Sequence, residues 1–285
     1  MGHARGTRGG VVASPGVSTP LGSHITAVAD EARADRGRTA LVFDIDGVLA
    51  PIVPNAQNAR VPPDVLALLG ELTARYLLVG VISGRGIADV ERMVPVPGIA
   101  RGGNHGLEVA EAGHHAHMVP EAAGAVGALR RFVAGLTPEV LAPRGAWMED
   151  KGASVSLHFR EAPDPGATRR WLRDVVRPAA IAAGLRTGDG EMILELLPDV
   201  DVDKGTALRA LVTGAGARRV LYVGDDHTDA DAWRAMRAMS AGGEIHAAHC
   251  VLADRPGVDP SVRAAADMAV AATEGVIALM ARLAA

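Results

Sequence analysis

The sequence predicts an α/β protein, a parallel sheet covered on both faces and interrupted by a smaller α+β lobe. Three observations carry this expectation. Apolar runs at residues 40–43, 76–82 and 219–223 are nearly continuous and stop at polar or glycine-containing loops, the pattern of strands buried on both faces of a parallel sheet. Helical spacing follows the first run, with Val65, Leu68, Leu69 and Leu72 behind Asp64, an expected N-cap. The middle of the chain changes period. Polar Ser154, Ser156, His158 and Arg160 alternate with apolar Val155, Leu157 and Phe159, which predicts a strand with one face free for polar work.

In chain order, residues 1–38 are rich in Gly, Ser, Pro, Ala and Arg and read as a flexible N-terminal tail ending in a short helix near 25–36. Strand 40–43, helix 64–75 and strand 76–82 open the core. Helical stretches at 121–136 and 167–183 join strands 154–160 and 192–197 in the lobe, with Pro178 expected to kink or end the second helix. The core resumes with helix 203–212, strand 219–223, helix 229–239, strands 248–252 and 268–270, and a closing helix 273–283. The predicted organisation is a tail (1–38), a Rossmannoid core (39–107 and 199–285) and an inserted α+β cap (108–198).

Composition narrows the function. The 285 residues allow one large domain or two ordinary ones. Lys and Arg number 29 against 33 Asp and Glu, for a net charge of -4, so neither nucleic acid nor an anionic membrane is an expected partner. No apolar run approaches the ~20 residues that span a bilayer. No continuous apolar segment follows Arg5 and Arg8 as in a secretory leader, so a cytoplasmic location is expected. The single cysteine, Cys250, permits neither an intrachain disulfide nor a thiolate metal cluster, and reads as a small hydrophobe near a strand.

Four polar clusters stand at strand ends or a helix start. Asp44-Ile45-Asp46-Gly47 follows the first strand, at the sheet end where open α/β folds bind ligands. Two acids at i and i+2 can converge there, one as nucleophile and one as general acid and base, although the same spacing serves a capping Asp and a turn Asp. Gly224-Asp225-Asp226-His227-Thr228-Asp229 places three acids in one loop, whose mutual repulsion a hard cation such as Mg²⁺ would relieve. Asp229 by itself also reads as a helix cap. Ser83-Gly84-Arg85 offers a hydroxyl and backbone N–H groups to an anion, or is an ordinary turn. Lys204, in the first turn of a helix, opposes the macrodipole by about 0.3–1 kcal/mol, a sign that a bound phosphate would reverse. Together these clusters hold the parts of a magnesium-dependent phosphoryl-transfer site. The chain has no G-x-x-x-x-G-K-[ST] loop and no G-x-S-x-G elbow.

The order Asp-x-Asp-Gly, Ser-Gly-Arg, Lys-Gly, Gly-Asp-Asp resembles the haloacid dehalogenase (HAD) superfamily from about residue 39 onward. Gly103-Asn104-His105-Gly106-Leu107-Glu108, the stretch from Glu149 to Arg160, Asp203-Lys204-Gly205 and the long Gly-Asp-Asp box are, more specifically, similar to trehalose-6-phosphate phosphatases. The resemblance implies hydrolysis of trehalose 6-phosphate through an aspartyl-phosphate. Asp44 would be the nucleophile and Asp46 the general acid and base, with Ser83 and Lys204 on the phosphoryl oxygens. Mg²⁺ would be held by Asp44, the carbonyl of Asp46 and Asp225, with Asp226 or Asp229 in support. In the cap, Ser154, His158 and Arg160 share one face of the alternating strand toward sugar hydroxyls, and Arg85, Asn104, His105, Glu149, Lys151 and Glu195 are further substrate contacts. Functional coupling to a trehalose-6-phosphate synthase follows from the same resemblance. Two departures stand out: Leu196-Leu197 precedes Pro198 where a basic residue is expected, and Ala230 replaces an acid. Alternatives sharing the core are a phosphatase of another phosphosugar, such as sucrose phosphate or glucosylglycerate phosphate, a sugar phosphomutase, and a non-catalytic sugar-phosphate-binding regulatory module.

Overall fold

The computed structural model describes residues 22–53 and 56–285. Twelve strands are seen among them: β1 (Thr39–Phe43), β2 (Leu78–Ile82), β3 (Ala100–Gly103), β4 (Glu108–Ala110), β5 (His117–Met118), β6 (Trp147–Asp150), β7 (Val155–His158), β8 (Leu185–Gly190), β9 (Ile193–Pro198), β10 (Arg219–Gly224), β11 (Ala247–Asp254) and β12 (Met268–Ala271). The large sheet runs β12-β11-β10-β1-β2-β3-β4-β5 and is parallel as far as β3. A second, antiparallel sheet runs β6-β7-β9-β8.

The continuous apolar runs hide a period of two. In β1, Leu41 and Phe43 enter one core while Ala40 and Val42 enter the other; Leu221 and Val223 of β10 divide from Val220 and Tyr222 in the same way. Both faces are covered, so both sets are apolar. Cys250, in β11, is buried in the second core, and burial pushes its thiol up to about 12. A third cluster lies between the small sheet and its own helices. Among the described residues, no helix is long and apolar enough to cross a membrane.

Several expectations need correction. Residues 1–21 of the expected tail lie outside the described residues, but Ser23–Ala34 is a helix that buries Ile25, Val28, Ala29 and Ala32 in the first core. Glu108–Ala110 and His117–Met118, expected in the cap, extend the large sheet instead. The predicted helix at 121–136 divides into Pro120–Ala123 and Val126–Val133 around Gly124, a weak helix former. The helix at Asp64 begins one residue earlier, with Pro62 as its cap and Asp64 in its first turn. Pro178 does not end its helix. The turn Leu172–Val176 widens to an i→i+5 pattern before helix Arg177–Ala182, which accommodates the missing N–H and the bulk of the ring.

Strand β7 is also less exposed than its alternation suggests, since Ser154 and Ser156 are buried along with Val155 and Leu157. The polar face turns toward the large domain rather than toward water.

Candidate active site

Neighbouring strands β10, β1 and β2 end side by side, and each delivers a polar residue at its carboxyl end: Asp225, Asp44 and Ser83. The Asp44 N–H donates to the Val223 carbonyl at 2.9 Å, so the nucleophile candidate leaves β1 still pinned to β10. Helix Lys204–Ala215 starts against this edge, its N-terminus fastened by a reciprocal capping box between Asp203 and Thr206. That cap aims Lys204 inward. Its ammonium donates to Asp44 at 3.0 Å and to Asp229 at 2.7 Å and is only 2% exposed.

The acidic loop is ordered by its helix. Asp226 is the N-cap of helix His227–Ala241, accepting from the N–H groups of Thr228 and Asp229. Asp229 sits one turn on, fully buried. It accepts from the Asp225 and Asp226 N–H groups on one oxygen and from Lys204 and the Tyr222 hydroxyl on the other. Of the two acids expected to support the metal, Asp226 caps the helix, and Asp229 joins Asp44 and Asp225 in the buried trio whose oxygens lie within 4.8 Å of one another.

This geometry leaves four carboxylates around Lys204 and Arg255. Burial raises the Asp44 pKa well above the ordinary range, Lys204 opposes the rise, and Asp229 adds to it. Asp225 is pushed up to about 6 by burial and by Asp229, against the pull of Arg255, which donates to it at 2.9 Å. Burial alone would lower the Lys204 pKa, but Asp229 and Asp44 hold it well above its usual value. The negative charge is under-compensated, the condition in which a divalent cation is stabilising. An all-oxygen donor set also suits Mg²⁺.

Gly47 makes this approach possible. Its φ is +83°, and a Cβ there would overlap the Asp225 carboxylate. Gly47→Ala should therefore cost about 1–3 kcal/mol in backbone strain alone and displace Asp225. Thermal unfolding and phosphate release would check this, and a variant with unchanged stability and turnover would remove the constraint.

Asp46 points the other way. Arg85 grips its two oxygens at 2.6 and 2.8 Å. Ser83 is buried, and its hydroxyl accepts from the Arg85 N–H at 3.3 Å. A Cβ on Gly84 would overlap the His105 ring, so the loop packs directly on the Asn104–His105 turn.

The cap candidates fall into two groups and one outlier. Asn104, fully buried, donates to the Lys151 carbonyl at 2.8 Å and to Glu108, and accepts from Ser154 at 2.6 Å. Ser154 thus fastens core to cap. Glu195 contacts His105 at 3.3 Å, Lys151 at 2.9 Å and Ser156 at 3.3 Å. Glu149 and His158 pair at 2.8 Å on the same face. Arg160 lies past the end of β7 and pairs with exposed Glu191, apart from the others. Sequence reasoning missed Tyr222, Glu108 and Arg255. Arg255 directly follows β11, and its place beside β10 was the available signal.

Burial by itself would raise the Glu195 pKa, but His105 and Lys151 bring it down from 4.5 to about 2. Because the folded value is the lower one, this stabilisation is complete above pH ~4.5 and fades as pH falls toward ~2. Glu195→Gln should flatten the stability slope in that window. An unaltered slope in acid unfolding would show that the contribution lies elsewhere.

The trehalose-phosphatase family model matches residues 42–262. The chain belongs to the trehalose-phosphatase family. Within this family, a trehalose-phosphate phosphatase of Mycobacterium avium (strain 104) is 36% identical over 203 residues, 70% of this chain and 51% of that protein. The chain thus spans about half the length of the curated relatives it matches. Two solved structures are similar in fold. The C-terminal domain of a Candida albicans trehalose-6-phosphate phosphatase has a TM-score of 0.71 at 19% identity, covering 91% of this chain and 96% of that one. A haloacid dehalogenase-like hydrolase from Bacteroides thetaiotaomicron has a TM-score of 0.55 at 16% identity, covering 86% and 98%. The chain therefore has a HAD-like α/β fold with a mostly parallel central sheet.

Proposed function

We propose that this protein hydrolyses trehalose 6-phosphate to trehalose and inorganic phosphate. The observation that carries this reading is the convergence of Asp44, Lys204, Asp225 and Asp229 at adjoining strand ends, in a chain of the trehalose-phosphatase family. Residues 39–107 and 199–285 supply the chemistry, and the inserted segment, drawn on sequence from 108, serves as a cap for substrate selection.

A carboxylate oxygen of Asp44 attacks phosphorus, and the bond from phosphorus to the sugar oxygen breaks. Asp46 gives the departing oxygen its proton, leaving an aspartyl-phosphate on Asp44. Asp46 then takes a proton from water as that water attacks phosphorus, which frees phosphate and restores Asp44. Arg85 aims Asp46, and their two-point pairing must open for the proton to be delivered, since a carboxylate so held is an acceptor. Lys204 and Ser83 contact the phosphoryl oxygens. Asp44, Asp225 and the Asp46 carbonyl would hold Mg²⁺, with Asp226 or Asp229 in support. When bound, it supplies charge neutralisation at the phosphoryl group. Coupling to a trehalose-6-phosphate synthase and a cytoplasmic location belong to the same reading.

Phosphate release across trehalose 6-phosphate, sucrose 6-phosphate, glucosylglycerate phosphate and glucose 6-phosphate tests it. Trehalose 6-phosphate should be turned over best, chelation should stop the reaction, Mg²⁺ should restore it, and Ca²⁺ should restore it poorly because of its looser coordination. Equal turnover of another disaccharide phosphate would overturn the substrate assignment. Comparable rates in Ca²⁺ would overturn the metal assignment.

A further inference from the structure

The small sheet presents two rows of side chains on its core-facing side. Strand register sets Glu149, Ser156 and Glu195 in one row, and Trp147, His158 and Ile193 in the next. Residues opposite one another or two apart share a face; Met148, Leu157 and Leu194 occupy the other face, packed in the third core. Glu195 touches His105 of the core, which fixes the first face as the one over the active-site cleft. The row nearer the core is polar. The row beyond it is aromatic and apolar.

Trp147 is the unusual member. Its ring lies on the His158 imidazole with centroids 4.1 Å apart and planes 5° from parallel, and His158 is held in turn by Glu149 at 2.8 Å. A large apolar side chain is thus fixed in place yet left 40% exposed. A pyranose ring has a C–H face that packs on an aromatic π-face and a hydroxyl rim that requires polar partners. The two rows offer these surfaces about 7 Å apart, two residues along a strand, which is the span of one sugar ring.

We propose that Trp147, backed by His158, is an aromatic platform for the sugar ring remote from the phosphate, selecting disaccharide over monosaccharide phosphates. This rests on the phosphosugar phosphatase reading above. The polar row, Glu149 and Glu195 with Lys151, then engages the phosphorylated sugar, and the platform engages its neighbour.

The test compares kcat/KM on trehalose 6-phosphate and glucose 6-phosphate for the full chain and its Trp147→Ala, Trp147→Leu and Trp147→Phe variants. Trp147→Ala should lose about ten-fold on the disaccharide phosphate, mainly through KM, with glucose 6-phosphate unchanged. Trp147→Phe should keep the selectivity, and Trp147→Leu, which keeps the bulk without the π-face, should lose it. Parallel losses on both substrates, or selectivity retained in Trp147→Leu, would overturn the platform. If Trp147→Ala fails to fold, the Leu–Phe pair decides. If the unaltered protein prefers another disaccharide phosphate, the substrate assignment fails and the same comparison on that compound still decides the platform.

Discussion

Asp44→Asn should abolish phosphate release, by about 10⁴-fold or more, while the protein still folds. The amide keeps the shape of the side chain but is a far weaker nucleophile than the carboxylate, so no aspartyl-phosphate forms. The fold should tolerate the change because burial already raises the Asp44 pKa well above its ordinary range; a neutral group there relieves like-charge repulsion from Asp229. Lys204 keeps its hydrogen bond to Asp229 at 2.7 Å. Steady-state phosphate release and thermal unfolding measure the two halves of this result. Retained turnover would take the nucleophile role from Asp44.

Lys204→Met should cost both activity and stability. The ammonium is 2% exposed and lies between Asp44 and Asp229. Removing it leaves buried carboxylates without their cation, a loss of about 3–5 kcal/mol and roughly 5–8 °C in Tm. The sign of the pH dependence follows from the same electrostatics. Without Lys204 the carboxylates must take up protons to remain buried, so the variant should regain stability as pH is lowered from about 8 to about 5. The double variant Lys204→Met/Asp229→Asn should recover stability without recovering activity, because it removes a buried charge along with its partner. Equal Tm values for the native chain and Lys204→Met at neutral pH would show that the site tolerates its negative charge unaided.

The parts of the candidate site were legible where an apolar run stops at a charged residue. Asp44, Ser83 and Asp225 each follow such a run, and these runs became adjoining strands β1, β2 and β10. Division of labour among the acids was not legible. Asp225, Asp226 and Asp229 are chemically alike, and what distinguishes them is where the helix begins. It begins at His227, so Asp226 caps it while Asp229, one turn on, is carried into the core beside Tyr222 and Lys204. Reading Asp229 as the capping residue would place that start three residues too late. Strands β3 and β4 were missed because Ala100–Gly103 and Glu108–Ala110 are short, and β3 is half glycine. They are strands because they prolong an existing sheet edge, and local propensity had little part in it.

The cap shows the same division. Alternation in the sequence correctly separated Val155 and Leu157 from Ser154, Ser156 and His158, because side chains alternate across any strand. What the polar face meets is a long-range property. Ser154 meets Asn104, Glu195 meets His105 and Lys151, and His158 meets Glu149 and Trp147, while Arg160 passes the end of the strand to pair with Glu191. By itself, then, the sequence determined the α/β class, the strand ends that carry chemistry and the residue types gathered there, since these follow from local periodicity and side-chain chemistry. Only the tertiary structure decided which carboxylates share Lys204, which one caps a helix and which cap side chains still face the cleft. Those outcomes depend on distances between residues as far apart as Asp44 and Lys204, set by strand order and core packing rather than by any neighbour in the chain.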